Sequence, residues 1–294
     1  MTVPQVVVVG DVCTDVVVLL GGQPAPGSDR PASIATRGGG AGANVAAHLA
    51  ALGTPVALAG CVGDDLPGRA LCRGLADDGV TLAVRTAPGM PTGTIVSLVE
   101  PDGERSMLTD RGANRALRPG DVPVPPPGGH LHLSGYTLLG DGPRGAGPAA
   151  LTAAAEAGCT ISVDPASTGP LRDYGVDRWL ADTAAATLLL PNAEEARLLT
   201  GCADVADAAR ALAERHPVVV VSLGRAGALW AAGELLVHRP AHPAVVVDTT
   251  GAGDAFTAGV LSVWTAAGGC PDPAEALEAG LRRAATVVGQ AGAR

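Results

Sequence analysis

Residues Gln5–Asp11 read QVVVVGD, four consecutive valines closed by Gly10. A strand buried on one face alternates apolar and polar residues; an unbroken valine run is apolar on both faces and reads as a strand inside a parallel sheet covered from both sides. Similar runs recur at PVALAGCVG (55–63), LHLSG (131–135), TISVDP (160–165), ATLLLPN (186–192), HPVVVVSLG (216–224) and AVVVDTTG (244–251). Between several of them lie Ala- and Leu-rich helical patterns: NVAAHLAALG, GRALCRGLADDG, AALTAAAEAG, AEEARLLTG and VADAARALAERH. Strands alternating with helices over most of the chain predict a layered α/β fold around a mostly parallel central sheet.

Two segments break the alternation. Val16–Arg37 is rich in Gly, Pro and Ser around a few apolar residues, and Gly93–Arg111 reads as two strands joined by a PDGE turn. Short strands inserted at about 16–37 and 93–111 are expected to form a small sheet, a lid over the active face, with few large apolar residues. DVPVPPPGG (121–129) is expected as a surface loop, since its prolines exclude a central strand or helix interior. No internal repeat is present.

Composition narrows the function. The 294 residues are 47% hydrophobic, enough for a large core, and the formal charge of −9 without any basic run argues against nucleic-acid and anionic-membrane partners. All 20 basic residues of the Lys+Arg count are arginines. A P-loop lysine, a Schiff-base lysine and a protein-kinase strand lysine are therefore excluded, and phosphate chemistry must rely on backbone N–H groups, arginine or a metal. The six cysteines (Cys13, Cys61, Cys72, Cys159, Cys202, Cys270) are scattered without metal-ligand spacing and read as reduced thiols. The N-terminal apolar run lacks a positive flank and is too short for a signal peptide or a membrane span, so a cytoplasmic protein is expected.

The chemistry concentrates in DTTGAGDAF (Asp248–Phe256). The valines before it read as a buried strand, and Thr257, Leu261 and Trp264 after it have helical spacing, so Gly251, Ala252 and Gly253 fall at a strand-to-helix junction. Glycines there permit a sharp turn and leave N–H groups facing whatever lies ahead of the helix, an arrangement that binds anions. Asp254 in the first turn has two readings. It is either a favourable N-terminal helix acid, or the base for a hydroxyl attacking a metal-balanced phosphoryl group.

DTTGAGDAF resembles the C-terminal signature of the ribokinase-type (PfkB) carbohydrate kinase family. GGGAGANVAAHLAALG (38–53) followed by AGCVGDDLPGRAL (59–71) resembles its N-terminal signature, and LLPNAEEARLLTG (189–201) its N-x-x-E segment. These occur in family order over nearly the whole chain. The resemblance implies a ribokinase-like three-layer sandwich, a single domain over 1–294 with the inserted lid, and transfer of the ATP γ-phosphate to an alcohol. It implies that Asp254 accepts the proton of the attacking hydroxyl and that the backbone of Gly251, Ala252 and Gly253 forms the anion hole. Asn192 and Glu195 are implied to organise Mg²⁺ through water; the residues alone favour a capping box, Asn192 as N-cap and Glu195 at N3, and both roles are compatible. Asp15, Gly39, Gly40 and Asn44 are implied to grip the sugar, Ser222 and Gly224 to approach ATP. Asp248 and the backbone of Thr250 match positions that hold K⁺ in some members, whose completing tail is missing after GQAGAR. Cys13 and Ala41 stand where ribokinases have asparagine and often lysine, which departs from a ribose site.

Other features carry less. Asp11 is a second local acid or a turn cap, and Asp64 and Asp65 read as loop and N-cap acids. His48, His130 and His132 have no metal-like spacing and read as core or surface histidines. GGGAGAN does not directly follow the first strand, so it is not a dinucleotide fingerprint. Aromatic residues make up 2% of the chain and none precedes Tyr136, which favours a sugar over a stacked nucleoside. Arg105 and Arg111 in the lid are expected to be solvated, whereas an inward arginine would suit a sugar acid or phosphosugar. The expected activity is an ATP- and Mg²⁺-dependent kinase for a pentose, hexose or keto-deoxy sugar acid. A nucleoside kinase and a non-catalytic sugar or nucleotide sensor are the alternatives. Family members often pair through lid strands, so a homodimer through the lid is implied.

Overall fold

The computed structural model describes residues 5–23, 26–100, 105–139, 145–289 and 292–293. In chain order the strands are β1 (Val6–Val9), β2 (Cys13–Leu20), β3 (Ala32–Gly39), β4 (Val56–Gly63), β5 (Thr81–Ala87), β6 (Gly93–Val99) and β7 (Arg105–Asp110). They continue with β8 (His130–Ser134), β9 (Thr160–Asp164), β10 (Leu188–Leu189), β11 (Val218–Ser222), β12 (Ala228–Ala232) and β13 (Leu235–Arg239). The helices are α1 (Ala41–Ala51), α2 (Leu66–Asp77), α3 (Ala146–Glu156), α4 (Thr168–Tyr174), α5 (Val176–Asp182), α6 (Ala193–Thr200), α7 (Val205–Ala213), α8 (Ala252–Ala266) and α9 (Pro273–Val288).

The large sheet runs β13-β12-β11-β10-β9-β8-β1-β4-β5, and only β12 runs against the rest, pairing antiparallel with β11 and β13. The opening valine run explains its place at the centre: Val7 and Val9 enter the core beneath α3 to α7, while Val6 and Val8 enter the core beneath α1, α2, α8 and α9. All four are at most 3% exposed, as a strand covered on both faces requires. His130 and His132 on β8 are also core residues. Burial lowers both to a pKa of about 3, and Ser162 satisfies Nε2 of one and Nδ1 of the other.

The small sheet, β3-β2-β6-β7, is built from both segments that broke the alternation, and it starts earlier than expected, at Cys13. The expected PDGE turn lies outside the described residues. The lid is more apolar than its composition suggests. The ladder register puts Ile34 and Leu108, 65% and 59% exposed, on one face with Val16, Val18, Val96 and Leu98.

One expected strand is absent. Val245, Val246 and Val247 are 83%, 48% and 59% exposed and lie in no ladder. The sheet edge ends with β13 at Arg239, and Pro240 and Pro243 follow, which cannot donate to a ladder. Instead the Val247 N–H donates to the carbonyl of Val288 at the end of α9, 2.8 Å away. The segment therefore crosses toward α9 as a wall, and α8 is entered from a loop rather than from a strand.

Candidate active site

The parallel strands point their carboxyl ends at one edge, the usual place for ligands in an open α/β sheet. Asp11 follows β1, Asp164 ends β9, Asn192 follows β10 and Ser222 ends β11. Onto this edge α8 brings Asp254 in its first turn, behind Gly251, which caps the helix in the left-handed conformation (φ 74°). The N-terminal turn of α1 brings Asn44, 4% exposed, whose Nδ2 donates to Asp254 Oδ2 at 2.8 Å. Burial raises the Asp254 carboxyl to about 7, with Asp164 and Asp15 adding repulsion against the stabilising bond from Asn44.

Asp15 reaches the same neighbourhood from the lid sheet, opposite Arg37 on β3. Gly39 leaves room for it: a Cβ at that position would stand 2.1 Å from Asp15 Oδ2. Gly40 (φ 95°) begins α1 and packs on the Asp11 backbone. Cys13 is buried, and burial together with the neighbouring aspartates pushes its thiol far up, so it packs against Asn114 Nδ2 at 3.3 Å as an un-ionised group. Asn114 also donates to the Val12 carbonyl and accepts its N–H, fixing the chain between β1 and β2.

Two expectations are corrected here. Arg111 is not a solvated lid residue: its side chain is 15% exposed and its guanidinium meets Asp11 Oδ1 at 2.6 Å. Asp11 is thus an ion-pair partner rather than a turn cap, and its carboxyl stays raised because burial outweighs the arginine. Nor does the site lack an aromatic. Tyr136 follows β8, bonds Ser167, and feels the charges of Asp164, Asp11 and Asp254. Arg111 covers its ring at 5.4 Å from the centroid, a cation–π contact that occupies one face. The side chain of Arg105 lies outside the described residues.

Asn192 and Glu195 form the capping box. Asn192 Oδ1 accepts from the N–H groups of Glu194 and Glu195, and Glu195 Oε2 accepts from the Asn192 N–H, each at 2.9 Å. Glu195 is nevertheless 3% exposed and faces Asp164; burial and that repulsion push its carboxyl well above the ordinary glutamate range. Buried Glu195 and half-buried Asp164, both with raised proton affinity and hard oxygen donors, are a suitable seat for a hydrated divalent cation. Among the described residues no group of three His, Cys, Asp or Glu side chains could hold a metal alone, so Mg²⁺ would rest on one or two carboxylates and its waters.

Ser222 and Gly224 line a cleft of about 670 Å³ together with Ala252 and Gly253 of α8. Val246, Leu281 and Ala285 give it an aliphatic wall. The exposed Val246 thus has a place, and Gly253 leaves open space at the cleft: a Cβ there meets nothing within 4 Å. Beside the cleft, Asp248 Oδ1 accepts from the N–H and hydroxyl of Thr250, and Oδ2 accepts from the Gly292 N–H at 3.0 Å. Asp65 caps α2, accepting from the Gly68 N–H at 2.8 Å, and Asp64 pairs with Arg69 on the surface.

Sequence reasoning passed over Asp164, Tyr136 and Asn114. Asp164 had a signal, an acid closing the buried run TISVDP, since polar ends of parallel strands gather at ligand sites. Asn114 and Tyr136 lie in short 3-10 turns after β7 and β8 (Gly112–Ala116 and Gly135–Thr137) and had none.

The model of the pfkB family of carbohydrate kinases matches residues 3–294. A fructokinase from Klebsiella pneumoniae is 37% identical over 260 residues, 84% of this chain and 83% of that protein. An ATP-dependent ribose-1-phosphate kinase from Halopiger xanaduensis is 38% identical over 176 residues; the match spans 58% of this chain and only 56% of that protein. Among solved structures, adenosine kinase from Sinorhizobium meliloti superposes with a TM-score of 0.87 at 26% identity, covering 98% of this chain and 95% of that one. A double mutant of fructokinase from Vibrio cholerae, bound to fructose, ADP and potassium ion, gives 0.83 at 27% identity over 100% and 95%.

Proposed function

The chain belongs to the pfkB family of carbohydrate kinases, phosphotransferases with an alcohol acceptor, and from that premise we propose that it phosphorylates a small neutral sugar, with Asp254 as the base. The observation that carries this reading is the position of Asp254: a carboxyl raised to about 7, at the head of α8, between the Asn44 amide and the cleft lined by Ser222, Gly224 and Gly253. A base of that proton affinity is matched to taking a hydroxyl proton near neutral pH.

Asp15 and Asn44 orient the acceptor hydroxyls, since a carboxylate and an amide can each bridge neighbouring hydroxyls. ATP lies in the cleft against the aliphatic wall, with Ser222 and Gly224 at its side. The N–H groups of Gly251, Ala252 and Gly253, with the dipole of α8, hold the transferring phosphoryl oxygens, and Asp254 receives the proton as the hydroxyl attacks. Asp164, Glu195 and Asn192 would hold Mg²⁺, which neutralises phosphate charge when bound. Asp248 and the Thr250 carbonyl are the seat for a K⁺ ion in this reading. The lid sheet closes over the acceptor and excludes water.

A neutral acceptor is favoured because the acceptor side holds Asp15, Asp254 and Asp164, and the inward arginine among the described residues, Arg111, is already neutralised by Asp11 at 2.6 Å. That argues for a pentose or hexose over a sugar acid or phosphosugar. The nucleoside reading has Tyr136 in its favour, but Arg111 covers one face of that ring. The apolar face of the lid, with Ile34 and Leu108, supports pairing with a second copy. No helix among the described residues is long and apolar enough to cross a membrane.

The test is ADP formation from Mg·ATP across pentoses, hexoses, sugar acids and nucleosides, each with and without K⁺. Turnover with a neutral sugar is expected. Turnover confined to nucleosides or to anionic sugars would refute the acceptor assignment, and ATP binding without any turnover would point to a sensor.

A further inference from the structure

A second cavity, about 820 Å³, shares no lining residue with the cleft and is lined by none of Asp15, Gly39, Gly40 and Asn44; it lies between the lid strand β3, helices α1 and α2, and the end of α9. Arg37 and Arg283 both line it, with His48 between α1 and α9, and among the described lining residues Asp78 is the single acid. Among the described residues neither arginine makes an ion pair.

Among the described residues, the hydrogen bonding around Arg283 brings it no negative charge. One of its N–H groups donates to His48 Nδ1 at 2.9 Å, and His48 Nε2 must donate to the Ala293 carbonyl, also at 2.9 Å, because a carbonyl only accepts. The imidazole is thus committed as a neutral acceptor toward Arg283 and brings no negative charge. Arg283 Nε is buried without a hydrogen-bond partner. A guanidinium held by a neutral ring, with a buried donor unused and a second arginine lining the same cavity, lacks only an anion.

We infer that this cavity is a second ligand site, for the phosphate group of a small phosphorylated metabolite. Two guanidinium forks suit the tetrahedral oxygens of a phosphate ester, and the volume leaves room for a carbon skeleton beyond it. The site is placed to influence catalysis. Arg37 stands opposite Asp15 in the β2–β3 ladder, and the Gly292–Ala293 turn behind the cavity donates to Asp248 and packs on Gly251, where a Cβ would come within 2.5 Å of Ala293.

The experiment is a calorimetric titration of glycerol 3-phosphate and of inorganic phosphate into the full chain, with glycerol as the uncharged control, for wild type, Arg37→Ala, Arg283→Met and Arg283→Lys. Both phosphates are expected to bind wild type and glycerol not. Affinity is expected to fall at least about tenfold in Arg37→Ala and Arg283→Met and to recover in part in Arg283→Lys. Arg37 is on an edge strand, so its variant tests the site even if Arg283→Met fails to fold. Equal affinity in wild type and Arg37→Ala, or no phosphate binding to folded wild type, overturns the inference. Binding is read without turnover, so failure of the kinase reading would leave this result legible.

Discussion

Asn44 Nδ2 donates to Asp254 Oδ2 across 2.8 Å, joining residues 210 positions apart and tying the first turn of α1 to the first turn of α8. The bond aims the carboxylate and stabilises its charged form, which burial alone would suppress. Replacing Asp254 by Asn keeps the shape and removes the proton acceptor. Turnover is expected to fall by at least ~10², the scale of general-base loss, with ATP affinity largely kept. Near-wild-type turnover would end the assignment of Asp254 as base.

The same pair sets a pH dependence. A base works when deprotonated, and the Asp254 carboxyl is raised to about 7, so kcat/KM is expected to rise with pH through an apparent value near neutrality. Asn44 lowers that value by bonding the charged form. Asn44→Leu should therefore move the rising limb to higher pH, an effect that lost substrate contacts alone would not produce. Profiles of the two enzymes with one limb at the same pH would show that the bond does not tune the base.

The two glycines of the anion-hole turn separate stability from chemistry. Gly251 has φ 74°, and a Cβ there would meet Ala293 at 2.5 Å, so Gly251→Ala is expected to lower the melting temperature, at a cost of about 1–3 kcal/mol from strain and overpacking. Gly253 sits in the first turn of α8 with open space around its Cβ position, and it lines the nucleotide cleft. Gly253→Ala should leave the fold as stable or more so, since Ala is favoured over Gly in a helix by about 0.5–1 kcal/mol. It should still lower kcat/KM for ATP by at least about tenfold by crowding the phosphoryl site. Thermal melts alongside ATP kinetics decide it: an active Gly253→Ala would move the anion hole elsewhere.

The contrast between these glycines also shows where sequence reading reaches its limit. Gly251 and Gly253 look alike in GAG, yet a left-handed backbone and the packing against Ala293 make only Gly251 structural. The valines of β1 were legible because four in a row can be buried only on both faces. Val245, Val246 and Val247 look the same to a period-based reading, but the prolines before them deny a ladder, and Val246 walls a cleft instead. Asn192 and Glu195 were legible as a local pair because a capping box is set by spacing of three. The pairing of Arg111 with Asp11 joins positions 100 apart, and no local pattern encodes it. Tyr136 was missed for the same reason: its neighbours come from β1, β9 and α8.

Glu195 offers a test of the cation seat through stability. Its carboxyl is buried opposite Asp164 and raised in the folded state, first by burial and then by that repulsion, so the folded protein holds a proton that the unfolded chain releases near 4.5. The sign follows. Stability is fully present below the unfolded value and is lost as pH rises through the folded one, because the native state binds more protons over that interval. In Glu195→Gln the amide oxygen can still accept from the Asn192 N–H, so the cap is kept while the charge is removed. Without divalent cations, wild type should lose melting temperature from weakly acidic to weakly alkaline pH, and the variant should lose less. The buried His130 and His132 act in the opposite sense below their unfolded value of 6.5 and are common to both proteins, so they cancel in the difference. Added Mg²⁺ should restore wild type at the alkaline end and do little for Glu195→Gln. A pH slope identical in the two proteins, or an equal response to Mg²⁺, would remove Glu195 from the cation seat and leave it a helix cap.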